Sequence, residues 1–260
     1  FPKPTHLHVP LSGAVYAESF IKDAGEDGLC VDPAGLNFVK PPCTAPLVPA
    51  SQVPADQDLY DRLIDAFSMR SFVPRSGFSG HDQFFSTFDR FGGLSKKHIG
   101  EWVDEVASRA AAQNQQYVEL METPIFTRAA DLGRSNAFTD DFAAYRKTLL
   151  SVGLADEVFV DREDVRTAEI LRKQIEHCGT PQATSACKVE VRYIYQILRG
   201  YEPGQVFAQT LLGFETVQAA MDAHDNTWVG INFVMPEDGY ISMRDYTLQM
   251  KMIGYLHSVY

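Results

Sequence analysis

The chain has 260 residues, with 34 acidic side chains against 23 lysines and arginines and a formal charge of −11. Phosphate backbones and anionic membrane surfaces are gripped by clustered lysine and arginine; here the basic residues stand singly or in pairs such as Lys96 and Lys97, which disfavours nucleic acid and membrane as partners. With 45% hydrophobic and 22% charged residues the chain can bury a sizeable core, and it has no run of about 18 apolar residues that would span a bilayer.

Phe1-Pro2-Lys3 opens the sequence with neither a methionine nor a signal-like apolar region, which suggests a mature or trimmed product. Residues 6–9 read as a first strand, followed by Leu11-Ser12-Gly13 and a helix over about 14–24. A Pro-rich irregular stretch over about 25–55 reads as an insertion. A helix over 56–69 carries Leu59, Leu63, Ile64 and Phe67 on one face. The loop Ser76-Gly77-Phe78-Ser79-Gly80 fits neither a nucleophile elbow nor a phosphate-binding loop. An aromatic segment with Phe84, Phe85 and Phe88 at helical spacing follows, and Ser95 is placed to cap a helix reaching Ala112.

Residues 116–121 form a short strand with Glu119 embedded in it, which reads first as a hydrogen-bonded structural carboxylate. Helices over about 140–149 and 167–177 are joined by an acidic, turn-like stretch over 156–164. Its Asp156, Glu157, Asp161, Glu163 and Asp164 lack calcium-loop spacing and read as solvated surface. Residues 188–197 are a third strand, 204–224 a helix and 228–235 a fourth strand. Ser242 is placed to cap a last apolar helix.

Strand and helix alternate four times, so the expected fold is α/β, with a parallel sheet wound by helices. A (β/α) barrel closes with eight strands. The chain therefore reads either as a compact open sheet or as strands 1–4 of a partial barrel.

The four cysteines fall into two local pairs. Cys30 and Cys43 enclose twelve residues and Cys178 and Cys187 enclose eight, GTPQATSA. Each pair reads as a disulfide, with unpaired buried thiols as the alternative; no spacing completes a zinc site around His177 and Cys178. Two disulfides would imply a periplasmic or extracellular protein.

Metal chemistry is suggested by Thr5-His6-Leu7-His8-Val9. Residues i and i+2 of a strand share a face, so His6 and His8 are expected to project together, a spacing that suits two ligands of one zinc ion. The bland reading is two partly buried, hydrogen-bonded histidines.

The segments Pro2-Lys3, Leu7-His8 and Leu11-Ser12-Gly13-Ala14-Val15-Tyr16-Ala17-Glu18-Ser19 resemble the first strand of the adenosine deaminase family of metal-dependent amidohydrolases, in particular its bacterial secreted branch. Phe84-Phe85-Ser86-Thr87-Phe88-Asp89 is similar to the family's hydrophobic lid, Tyr117-Val118-Glu119-Leu120 to its second strand, and Val229-Gly230-Ile231-Asn232 to its fourth. The likeness runs in order over nearly the whole chain.

It implies one barrel domain over 1–260, carrying the insertion at about 25–55 and representing the N-terminal half of an eight-stranded barrel. Its implied activity is zinc-dependent hydrolysis of adenosine or a related purine nucleoside to inosine and ammonia. In that resemblance His8 matches the first metal histidine, while Pro10 stands where the second belongs. His6 lies about 6.6 Å upstream along the strand and would substitute only through a two-residue slide. Ser12 matches a ribose-contacting position, and Phe84 and Phe88 a purine-pocket wall. The family's remaining metal and acid–base residues belong to strands beyond Tyr260. The expected partners are therefore a purine nucleoside and either a C-terminal half-barrel chain or a second copy. The rival expectation, motivated by Pro10, is a catalytically inactive binding or assembly protein; a third is an enzyme acting on another amine or amide.

Overall fold

Lys3–Pro10 forms the first strand, β1, and Leu11–Ala14 a single helical turn, α1, in the computed structural model, which describes residues 3–123 and 126–260. Pro2 of the opening motif lies outside the described residues. The chain divides into two compact units, one of Phe1–Leu11 with Val103–Tyr260 and one of Ser12–Trp102.

In the second unit, α2 (Ala17–Glu26) is followed by three short strands, β2 (Cys30–Asp32), β3 (Asn37–Val39) and β4 (Val48–Pro49). They pair antiparallel in the order β3-β2-β4. The stretch expected to be irregular thus carries a small sheet, with strands too short for alternation to show. The Cys30–Cys43 disulfide, with Cα atoms 5.3 Å apart, is formed within it. Asp56 caps α3 (Gln57–Phe67) by accepting from Leu59 N, and α3 buries Leu59, Leu63, Ile64 and Phe67 as expected.

Ser79 and Asp82 form a capping box that starts α4 (Gly80–Arg90). The expected loop therefore ends in a helix cap. Phe20 stacks on Phe91 at 4.4 Å, and Arg70 pairs with Glu18. Ser95 caps as expected, through Lys97 N, at a tight turn leading into α5 (Ile99–Ala112), which spans the boundary between the units.

The other unit is built on β1, β5 (Gln115–Glu122), β6 (Glu190–Leu198) and β7 (Trp228–Val234), paired in that order and all parallel. Helices α6 (Phe126–Ser135), α7 (Phe142–Ser151), α8 (Glu157–Ile175) and α9 (Pro203–Asp222) fill the connections, and α10 (Tyr240–Arg244) and α11 (Tyr246–Val259) follow β7. Parallel neighbours taken in chain order, with helical crossovers, are the arrangement of four consecutive strands of a (β/α) barrel. The α/β partial-barrel expectation holds.

Two expectations fail locally. The acidic stretch is part of the 19-residue α8 rather than a turn, and Asp161 is 0% exposed, accepting from Thr216 Oγ1 at 3.2 Å. A buried carboxylate needs such donors. Ser242 is buried inside α10 and caps nothing; the helix starts after Gly239 and breaks at Asp245. Helix α6 had no sequence expectation.

Helix α9 is the hub of this unit. It crosses α6 where Gly133 meets Gly204, and a Cβ on Gly133 would lie 2.3 Å from the Gly204 carbonyl oxygen. Beneath the sheet's end, Gln209 of α9 accepts from Leu198 N at 2.9 Å and donates to Leu198 O at 3.3 Å. Gln249 of α11 holds Arg199 through its Nε at 3.1 Å and its carbonyl at 2.9 Å. These buried amides fix the C-terminal end of β6. The Cys178–Cys187 bridge, with Cα atoms 5.5 Å apart, closes the loop before that strand.

Candidate functional site

Alternation in β6 buries Val191, Tyr193, Tyr195 and Ile197 and leaves Arg192, Ile194 and Gln196 half-buried. The register carries the division across the sheet. Glu119 lies beside Arg192, Ile194 beside Gly230 and Gln196 beside Asn232. One face is thus packed with large side chains and the other is open, and the open face turns polar toward the C-terminal strand ends. Thr123, just past β5, donates to Gln196 Oε1 at 2.8 Å. Asn232 donates to the Phe233 carbonyl at 3.0 Å and lies 3.2 Å from Met121 Sδ.

His8, Gln196 and Asn232 are each the third residue from the end of their strands. In parallel α/β sheets ligands bind at this end, because the strand termini and following loops present side chains there without disturbing the packed layer. The other end holds a cavity of about 460 Å³ lined by Arg162, Arg166, Lys173, Arg192, Asp225 and Trp228. Its charges are already matched, as in the 3.3 Å Arg162–Asp225 pair.

Glu119 accepts from the Tyr117 hydroxyl at 2.8 Å, the structural role expected of it. Burial, then the bond to Glu119, pushes the Tyr117 hydroxyl up to about 12.

His6 and His8 are both exposed. Thr5 pairs with Tyr117 and His6 with Val118, but Val9 pairs with Leu120, so β1 carries one residue more than β5 across this stretch. A bulge interrupts alternation. The rule that would carry His6 and His8 to one face therefore does not run through it, and the expectation that they project together loses its basis. Pro10, opposite Met121, offers no imidazole. Zinc takes three or four nitrogen, sulfur or oxygen donors. Among the described residues no third His, Cys, Asp or Glu gathers with His6 and His8 at ligand distance, so the donors of this chain do not by themselves make a zinc site there.

Ser12 is half-buried in α1. Phe84 and Phe88 lie on α4 with ring centroids 5.2 Å apart. The side of α4 that is buried carries Gln83 and Thr87, and Phe84 is 38% exposed, so the aromatic spacing is not a plain core face. Gln83 is satisfied there by the Asp65 and Ser68 carbonyls, each at 3.0 Å. Ser12, Phe84 and Phe88 belong to the unit of Ser12–Trp102, and His6 and His8 to the other.

Sequence reading did not single out Thr123 or Gln196. The available signal, for Gln196, was a polar residue inside the apolar C-terminal stretch of a parallel strand, Tyr193-Ile194-Tyr195-Gln196-Ile197-Leu198, which a purely structural strand does not need.

No family model matches the chain, and no curated protein does. Among solved structures it is similar to a zinc-bound amidohydrolase from Burkholderia ambifaria, with 17% identity over 95% of this chain and 48% of that one and a TM-score of 0.46. It is also similar to an adenine deaminase from Arthrobacter aurescens, with 14% identity over 96% of this chain and 55% of that one and a TM-score of 0.41. The chain spans about half the length of the solved structures it matches.

Proposed function

We propose that this chain is the substrate-binding half of a deaminase-like hydrolase of the amidohydrolase type, acting on adenosine or a related purine nucleoside to give inosine and ammonia. The observation that carries the reading is the row Thr123, Gln196 and Asn232 at the C-terminal end of the open sheet face, beside the strand that bears His8. A carboxamide presents a donor and an acceptor together, and so matches the amino group and ring nitrogen on an adenine edge. The in-order resemblance of four segments to the adenosine deaminase family supports the same substrate class.

His8 would contribute one imidazole to a zinc ion whose other ligands come from outside this chain. When bound, zinc would supply an activated water; the residues described here would orient the purine and hold its amino group. The end strands β1 and β7 are where a C-terminal half-barrel chain or a second copy would add strands. With two disulfides, the proposed location is periplasmic or extracellular.

Adenosine added to the zinc-loaded native protein should give the fall in ultraviolet absorbance that accompanies conversion to inosine. Unchanged absorbance with adenosine and with other aminopurine nucleosides would overturn the enzymatic reading. A second reading, a non-catalytic purine-binding protein, is favoured by Pro10, and its signature is binding without turnover.

A further inference from the structure

Helix α2 and the turn that opens α5 surround one buried imidazole with carboxylates. His98 is 1% exposed. Its Nε2 lies 3.2 Å from Asp27 Oδ1, and Asp27 is itself held by the Ser95 amide at 2.7 Å and by Lys97 at 2.7 Å. Asp27 can only accept, so Nε2 donates to it, and in the neutral imidazole Nδ1 is then a lone pair. That nitrogen faces Asp23 Oδ1 at 3.5 Å and Glu101 Oε2 at 3.7 Å and makes a hydrogen bond with neither. A lone pair turned toward carboxylate oxygens in a buried site calls for a cation between them.

The charge count points the same way. Asp23, Glu26, Asp27 and Glu101 face Lys22 and Lys97, two negative charges in excess of the lysines. The Lys22 ammonium lies 3.2 Å from Glu26, 3.4 Å from Glu101 and 3.7 Å from Asp23, on a side chain that is mostly exposed and free to swing into solvent. Asp23 is buried, and its Oδ2 is pinned by Trp102 Nε1 at 2.7 Å, leaving Oδ1 for another partner.

We propose that Asp23, Glu26 and His98 form a binding site for a divalent transition-metal ion, zinc by affinity, and that the ion displaces the ammonium of Lys22. The three donor atoms lie within 4.8 Å of one another. Ligands about 2.0–2.2 Å from one zinc ion can be at most about 4.4 Å apart, so closure needs a few tenths of an ångström, which the exposed Glu26 side chain can supply. One imidazole with two carboxylates suits zinc among the common divalent ions. Asp27 behind His98 is the outer carboxylate that fixes the tautomer and orientation of a metal-bound imidazole. The site lies wholly within the unit of Ser12–Trp102 and does not depend on the proposed purine chemistry.

The test is a calorimetric titration of the chelator-stripped full chain with zinc, together with nitrogen NMR of the His98 ring. Wild type should bind one ion with a shift of Nδ1 while Nε2 keeps its proton. Glu26→Gln should weaken binding by at least about tenfold. Lys22→Met should tighten it by about tenfold, because a like charge beside the ion is removed. Both substitutions are on exposed side chains, so a folded protein is expected in each case. Equal binding in wild type and both variants would assign the zinc to the exposed histidines, and no binding would leave His98 a structural link between Asp23 and Asp27. Either outcome overturns the proposal.

Discussion

Substitution of Gly133 by alanine tests the packing that supports the sheet. The new methyl would meet the Gly204 carbonyl oxygen at 2.3 Å and Gln205 Cα at 2.7 Å, both backbone atoms of α9, so no side chain can turn aside. Relief requires α6 and α9 to part by roughly 1 Å, which also strains the bond from the Tyr145 hydroxyl to the Gly133 carbonyl at 3.0 Å. Overpacking of this kind costs about 1–3 kcal/mol. It is opposed by the helix propensity of alanine, worth up to about 1 kcal/mol over glycine. Gly254, inside α11 with nothing within 4 Å of an added Cβ, isolates that second effect. At roughly 2–4 °C per kcal/mol for a unit of this size, Gly254→Ala should raise the melting temperature slightly. Gly133→Ala should fall several degrees below it in the same calorimetric or circular-dichroism melt. A Gly133→Ala protein that melts with or above Gly254→Ala would refute the close crossing of α6 and α9.

Acid should weaken the unit built on the parallel sheet. Burial alone would raise Glu176, but hydrogen bonds with Asp104, Ser108 and Thr184 and the charge of Arg172 hold it below its ordinary value of 4.5. Asp225, only half-buried, is held below 3.8 by Thr227 and Arg162 against the opposing effect of burial. A carboxylate whose folded value is depressed stabilises fully above its unfolded value and loses that contribution as pH falls toward the folded one. Urea midpoints should therefore decline below about pH 4.5, and Glu176→Gln should flatten the decline; an unchanged slope in the variant would contradict the assignment. The bridges close loops of sequence separation 13 and 9, each worth about 3 kcal/mol by loop entropy. Reduction, verified by a mass gain of two hydrogens per bridge, should lower the melting temperature, and an unchanged melt would show that the loops are held by other contacts.

The parallel framework was legible because strand-like segments rich in β-branched and aromatic residues alternate with helical ones, as residues 188–197 and 204–224 illustrate. The cysteine pairs were legible because each is local. The face of α3 was legible because Leu59, Leu63, Ile64 and Phe67 repeat with the helical period. Asp161 was not, since a charge in an acidic run reads as solvated until Thr216, fifty-five residues on, is seen to reach it. The bulge in β1 was hidden for a related reason: alternation is a property of one strand, whereas an extra residue exists only by comparison with the partner strand. The row of Thr123, Gln196 and Asn232 required the same knowledge, because register alone makes neighbours of residues more than thirty positions apart. The carboxylates around His98 come from two segments some seventy residues apart, with no motif to join them.

The claim on which the proposed function rests is that a purine sits at the C-terminal end of the open sheet face. The most direct measurement is a titration of the isotope-labelled protein with adenosine, following the side-chain amide signals of Gln196 and Asn232 by NMR. Both signals should shift together and saturate with one affinity, and Asn232→Leu should weaken that affinity without changing the melting temperature beyond a degree or so. Saturable shifts elsewhere with both amides unmoved, or no shifts at all, would contradict the claim.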